Sequence, residues 1–179
     1  MEDHHMKNMV QLVKPTEVLR EEYIAFYQEW LESGEDMIPW VIEKDPTNFE
    51  EMVQFLMNNE NGINLPEGWV PDSTYWLVNE AKKIVGVVNI RHRLTDFLLN
   101  HGGHIGYGIR PSERKKGYAT QLLALSLNKA KQLGIKKVLV VCDSTNTGSL
   151  KTIIKNGGVA DLDFIEEDGN IVKRFWIEV

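Results

Sequence analysis

The chemistry in this 179-residue chain is densest in Arg110-Pro111-Ser112-Glu113-Arg114-Lys115-Lys116-Gly117-Tyr118-Ala119-Thr120. An alternating run ends at Pro111, a basic loop follows, and a helical pattern begins directly after Gly117. The first turn of a helix leaves backbone N–H groups without internal partners, and the helix dipole places partial positive charge at the same end. A glycine there lets a phosphate approach the backbone, and a small residue such as Ala119 keeps the next turn clear. Arg114, Lys115 and Lys116 alone would read as a solvated basic turn. At a strand–helix junction they predict a site for a phosphorylated ligand. The chain has no G-x-x-x-x-G-K-[ST] and no G-x-G-x-x-G opening a helix after a strand, which disfavours P-loop and Rossmann nucleotide sites.

Arg114-Lys115-Lys116-Gly117-Tyr118-Ala119 resembles the R-x-x-G-x-[GA] pyrophosphate loop of the GNAT N-acetyltransferases. The likeness runs back through Gly102-Gly103-His104-Ile105-Gly106-Tyr107-Gly108-Ile109 and on through Asn146, Ser149 and Gly157-Gly158, about residues 84–158, as in a bacterial subgroup of that family. It implies an α/β, single-domain GNAT (acyl-CoA N-acyltransferase) fold, a central mixed β-sheet with helices on both faces. Residues 1–73 would form the acceptor side, 74–158 the acetyl-CoA-binding core and 159–179 a C-terminal hairpin. The resemblance places main-chain contacts to the pantetheine arm at Tyr107 and Ile109. It places the pyrophosphate on the amides of Arg114, Lys115, Lys116, Gly117, Tyr118 and Ala119, with Thr120 following, and further cofactor contacts at Asn146 and Ser149. The strand carrying Gly106 and Gly108 would splay from its neighbour to admit the cofactor.

The implied reaction is direct attack of a neutral amine on the acetyl thioester of acetyl-CoA, with no metal. A general base would remove the ammonium proton, and His104 is the candidate, since an imidazole titrates near neutrality. The competing reading is a histidine that hydrogen-bonds locally to hold the Gly102-Gly103 turn. His92, His101, Asp96 and Glu80 are weaker candidates. Many relatives place a proton-donating tyrosine in the helix after the Asn146 position; here that slot is Ile153. This departure motivates an alternative, a non-catalytic acyl-CoA-binding or regulatory domain.

The elements that must position these residues read as follows. Thr16 opens a helical pattern through Tyr23, Tyr27 and Leu31 that stops near Ser33-Gly34. Thr47-Asn48-Phe49-Glu50 reads as a capping box before a second helix, and 58–71 as a loop. Thr74–Val78 and Ile84–Ile90 flank a polar turn as a hairpin, and His104–Arg110 alternates as a third strand. Leu94–Asn100 is a short polar–apolar segment. Ala119–Leu133 carries an apolar stripe closed by Gly134. Lys137–Cys142 reads as a buried strand, Asn146–Lys155 as a helix, and Val159–Ile165 with Asn170–Val179 as a second hairpin.

The formal net charge of -6 argues against nucleic acid, even though Lys115, Lys116, Lys129, Lys131, Lys136 and Lys137 are basic. Residues 1–60 hold 14 acidic and 4 basic side chains. Within them Glu29, Glu32, Glu35 and Asp36 with Trp30, Trp40 and Tyr27 could line a pocket for a cationic or aromatic amine, or the tryptophans could fill the core. The single cysteine, Cys142, permits no internal disulfide and reads as a small buried hydrophobe. His4-His5 could bind metal, but a terminal pair more often does not. No apolar run suits a membrane span and no secretory signal opens the chain, so a cytoplasmic protein is expected. A homodimer is compatible with the sequence, which does not decide the oligomeric state.

Overall fold

The computed structural model describes residues 9–179, so His4-His5 lies outside the described residues. In chain order the elements are β1 (Val10–Val13), α1 (Arg20–Ser33), α2 (Phe49–Glu60), β2 (Asp72–Asn79), β3 (Ile84–Arg91), α3 (Asp96–His101), β4 (Ile105–Ile109), α4 (Tyr118–Gln132), β5 (Lys137–Asp143), α5 (Thr147–Lys155), β6 (Val159–Ile165) and β7 (Ile171–Glu178). Short 3-10 turns at Glu17–Leu19, Trp40–Glu43 and Pro111–Glu113 join them. No helix among the described residues is long and apolar enough to cross a membrane.

Hydrogen bonding divides the strands into two antiparallel sheets, β1-β2-β3-β4 and β5-β7-β6. The expected single mixed sheet is thus split between β4 and β5. β2 and β3 are buried on both faces, which explains their almost unbroken apolar runs. On one face, α1 and α2 cover Trp76, Val78 and Val87 with a core of Tyr23, Phe26, Trp30, Phe49 and Met52. Tyr23 stacks on Trp76 at 4.6 Å between ring centroids. On the other face Leu122 and Leu123 of α4 and Ile153 of α5 pack on Leu77, Val88, Ile105 and Val140. Each such buried side chain stabilises the fold by about 1.5–3 kcal/mol relative to exposure.

Two elements were not foreseen. β1 has only four residues, and it becomes a strand because the free edge of β2 pairs with it. α3 has six residues, too few to show periodicity, and is set by Thr95, whose side chain accepts from the Leu98 N–H at 3.2 Å. The strand at Lys137–Cys142 is not buried throughout: Lys137 is exposed and Cys142 only partly covered. Burial, with Asp143 adding to it, still pushes the Cys142 thiol up to about 11, so it stays protonated.

Candidate active site

The division between the sheets begins at His104. Its N–H donates to the Leu139 carbonyl at 2.8 Å, and its Nδ1 accepts from the Leu139 N–H at 2.9 Å. Past this double link β4 and β5 separate, and a cavity of about 880 Å³ opens toward their C-terminal ends. The alternation of the β3–β4 ladder decides what faces the opening. Arg110 N–H bonds the Val85 carbonyl, so its register mates Gly106 and Gly108 also point their main-chain groups at β3. Those of Tyr107 and Ile109 therefore turn into the split. Above Gly108 the chain runs so close that a methyl there would overlap the Ile38 carbonyl, which is why that position needs glycine.

At the open end lies the first turn of α4. Gly117 sits in the left-handed region at φ +85°, and a Cβ placed on it would meet no atom within 4 Å. No side chain caps this helix, whereas Asn48, Thr95 and Asn146 cap α2, α3 and α5. The N–H groups of Tyr118, Ala119 and Thr120 thus stand at the cavity with the positive end of the dipole.

Of the expected contact residues, Tyr107, Ile109, Arg114, Lys115, Gly117, Tyr118, Ala119, Thr120, Asn146 and Ser149 line this cavity. Lys116 does not line it: its Nζ is held by Glu113 at 2.9 Å. Glu113 also takes Lys83 at 2.7 Å, and these two lysines hold its carboxyl below the usual range. Arg114 is partly committed as well. Its Nη1 pairs with Glu35 at 2.7 Å, its Nε donates to the Ile109 carbonyl at 3.2 Å, and it lies over the Trp30 ring. Lys115 has no ion-pair partner among the described residues. The Asn146 Oδ1 accepts from the Ser149 N–H at 3.1 Å, as a helix cap.

Of the residues expected to line an amine pocket, Trp30, Glu35 and Asp36 line this cavity, the two acids just past the end of α1, whereas Glu29 is engaged elsewhere. Glu29 accepts from Arg110 Nε at 2.9 Å and from Ser112 N–H at 3.0 Å, which holds α1 on the loop, and Glu35 holds Arg114. Trp30 fills the core at 2 % exposure. These pairings join residues about 80 positions apart, and no local pattern announces them.

The candidates for proton transfer are dispersed. His104 is buried and does not line this cavity, and burial, then Arg91, lowers its pKa to about 4. His92 hydrogen-bonds Ser73 Oγ at 2.8 Å, and His101 Nδ1 lies 2.9 Å from Glu166. Asp96 opens α3, and Glu80 sits in the turn after β2. Ile153 is fully buried in the core. Tyr107, foreseen only for its main chain, brings its side chain to the cavity. Its hydroxyl donates to Ser149 Oγ at 3.3 Å, and burial raises its pKa. Period two was the available signal, since it puts the phenol on the α4–α5 side.

The family model described as Acetyltransferase (GNAT) domain matches residues 12–159. The chain belongs to the GNAT acetyltransferase family. No curated protein matches it. Among solved structures, the GNAT chain is similar to the microcin C7 self-immunity acetyltransferase MccE in complex with acetyl-CoA and AMP. There the TM-score is 0.67 at 16% identity, over 96% of this chain and 93% of that one. It is also similar to a chimera of the spermidine N-acetyltransferase SpeG from Vibrio cholerae and hSSAT. That match has a TM-score of 0.64 at 16% identity and covers 96% of each chain. At these identities the likeness is one of fold, and the GNAT architecture is as expected.

Proposed function

We propose that this GNAT protein transfers an acetyl group from acetyl-CoA to a primary amine by direct attack. The observation that carries this reading is the uncapped, open first turn of α4 at the end of a divided sheet. The residues present fit the donor. The amides of Tyr118, Ala119 and Thr120 bind its diphosphate, with Lys115 adding charge. The edges of Tyr107 and Ile109 align its extended arm. When bound, acetyl-CoA supplies an acyl group already activated as a thioester.

The Ile109 N–H, aimed into the split, stabilises developing negative charge on oxygen, worth roughly 3 kcal/mol. Holding both reactants in place could supply about 7–11 kcal/mol. The Tyr107 phenol stands at the α5 side with its proton retained at Oη, able to protonate a leaving sulfur where Ile153 offers nothing. His104 has no part in the proton path, because its Nδ1 is engaged by Leu139.

Calorimetry tests the reading. Acetyl-CoA should bind the wild-type protein and bind far more weakly to the double variant Arg114→Ala with Gly117→Asp. Equal binding would sink the assignment. The buried Ile153 supports a second reading, a non-catalytic acyl-CoA-binding domain, which predicts binding with no thiol release for any amine.

A further inference from the structure

A second cavity, of about 480 Å³, lies on the α1–α2 side of the sheet. It shares no lining residue with the first. Pro39 and Arg91 cover Gly106, and the Ile38 carbonyl covers Gly108, so a molecule in the second cavity has no path to the split. Whatever it holds is not the group that is acetylated. The rim is aromatic and open. Trp69 is 48% and Phe97 66% exposed, and Trp40 meets Trp69 edge-on at 5.2 Å. Exposed large aromatics around a concavity of this size are surface that a small molecule would cover.

The deeper part of the cavity is charged in an unusual way. Asp72 and Arg91 face each other directly across the β2–β3 ladder, yet they form no salt bridge. Asp72 instead accepts from Asn89 Nδ2 at 2.7 Å through Oδ1, and no donor among the described residues meets its Oδ2. Arg91 turns the other way. Its Nη1 donates to the Gly102 carbonyl at 3.1 Å, and no other acceptor among the described residues takes its remaining N–H groups. Asp72 is only 2% exposed, and burial pushes its carboxyl above the usual carboxylate range, a cost that a cation beside it would relieve. Two opposite charges in register would ordinarily neutralise each other. Both line this cavity instead, each with hydrogen-bonding capacity left over.

We propose that this cavity binds a free aromatic α-amino acid as a ligand that does not react. Its carboxylate meets the Arg91 guanidinium, its ammonium meets Asp72 Oδ2, and its ring lies among Trp40, Trp69 and Val70. The choice follows from charge. An amine without a carboxylate would be opposed by Arg91, and an acid without an ammonium by Asp72 and by the exposed Glu67 at the rim. A neutral molecule would desolvate both charges and match neither. A zwitterion on a single carbon supplies both over the short span set by two residues directly opposite on a ladder. The aromatic walls favour a flat apolar side chain. This ligand stands apart from acetyl transfer, and its binding does not depend on the reading above.

Calorimetry on the full chain tests it with L-tryptophan, L-tyrosine and L-phenylalanine. The comparison molecules are the decarboxylated partners tryptamine, tyramine and phenethylamine, the deaminated partners indolepropionate, hydroxyphenylpropionate and phenylpropionate, and L-alanine. At least one aromatic amino acid should bind about tenfold or more tightly than both of its partners and than L-alanine, because each charged end makes a charge-assisted hydrogen bond. Arg91→Met should bring it down to the affinity of the amine, and Asp72→Asn to that of the acid. Trp69→Ala, at a half-exposed position, should weaken binding severalfold with the charge preference kept. The inference is overturned if no aromatic amino acid binds, if either partner binds as well, or if both charge variants keep the preference. Acetylation of the amino acid that disappears in Arg91→Met would also overturn it, since the ligand would then be an acceptor. The wild-type comparison decides even if a variant fails to fold. Absence of binding across the set removes this inference alone, because acetyl-CoA belongs to the other cavity and is titrated separately.

Discussion

His104 satisfies both main-chain groups of Leu139, donating its own N–H to the carbonyl at 2.8 Å and accepting the N–H on Nδ1 at 2.9 Å. In a continuous sheet a strand carbonyl would take that second hydrogen. Here an imidazole takes it, and β4 is released from β5 immediately afterwards. The Oδ1 of asparagine can stand where Nδ1 does, so His104→Asn should keep the fold and acetyl transfer within a few-fold. His104→Leu should leave a buried N–H unpaired and cost about 1–3 kcal/mol in urea unfolding. A general base at this position would make asparagine lose about 10²–10⁴-fold in rate.

The same link makes stability depend on pH. Burial and Arg91 bring the His104 pKa down to about 4, so the folded protein keeps the ring neutral. The unfolded chain takes up a proton below about 6.5. Between those values the unfolded state binds more protons, so this contribution is complete above the upper value and is lost as pH falls through the lower. Urea midpoints measured at pH 7, 6 and 5 should decline, and less steeply in His104→Asn. Parallel declines would count against the link.

Arg114 is shared between Glu35 and the cavity it lines. Both side chains are largely exposed, so the pair is worth at most about 1 kcal/mol. Glu35→Gln should leave thermal stability nearly unchanged and tighten acetyl-CoA binding a few-fold at low salt, by freeing the guanidinium. The gain should shrink as salt is raised, because the charges are solvated. Calorimetry at two ionic strengths would show it.

Tyr107 offers its phenol where α5 carries Ile153. Tyr107→Phe should lower kcat by about tenfold or more while acetyl-CoA affinity changes little. An unchanged kcat would mean that water or another group protonates the sulfur. The hydroxyl's contact with Ser149 is long and partly buried, so the substitution should be mild for stability.

Much of this was legible in the residues themselves. The strand ending at Pro111, the basic loop, Gly117 and the apolar stripe of α4 follow from local patterns, because glycine tolerance, orphan helix amides and period 3.6 are properties of neighbouring residues. The slot that relatives fill with tyrosine, occupied here by Ile153, came instead from the family resemblance. β1 and α3 escaped notice because four and six residues carry too little periodicity to register.

The sequence by itself determined where the uncapped glycine turn before α4 lies and which elements flank it, since both depend on short-range chemistry. Only the tertiary structure decided that His104 binds Leu139 rather than solvent. It likewise decided that Glu29 pairs with Arg110 and Glu35 with Arg114, and that Asp72 and Arg91 stand in register without pairing. Those outcomes depend on which strands meet and how the sheet divides. Side chains tens of residues apart become partners only once the backbone has brought them within hydrogen-bonding distance.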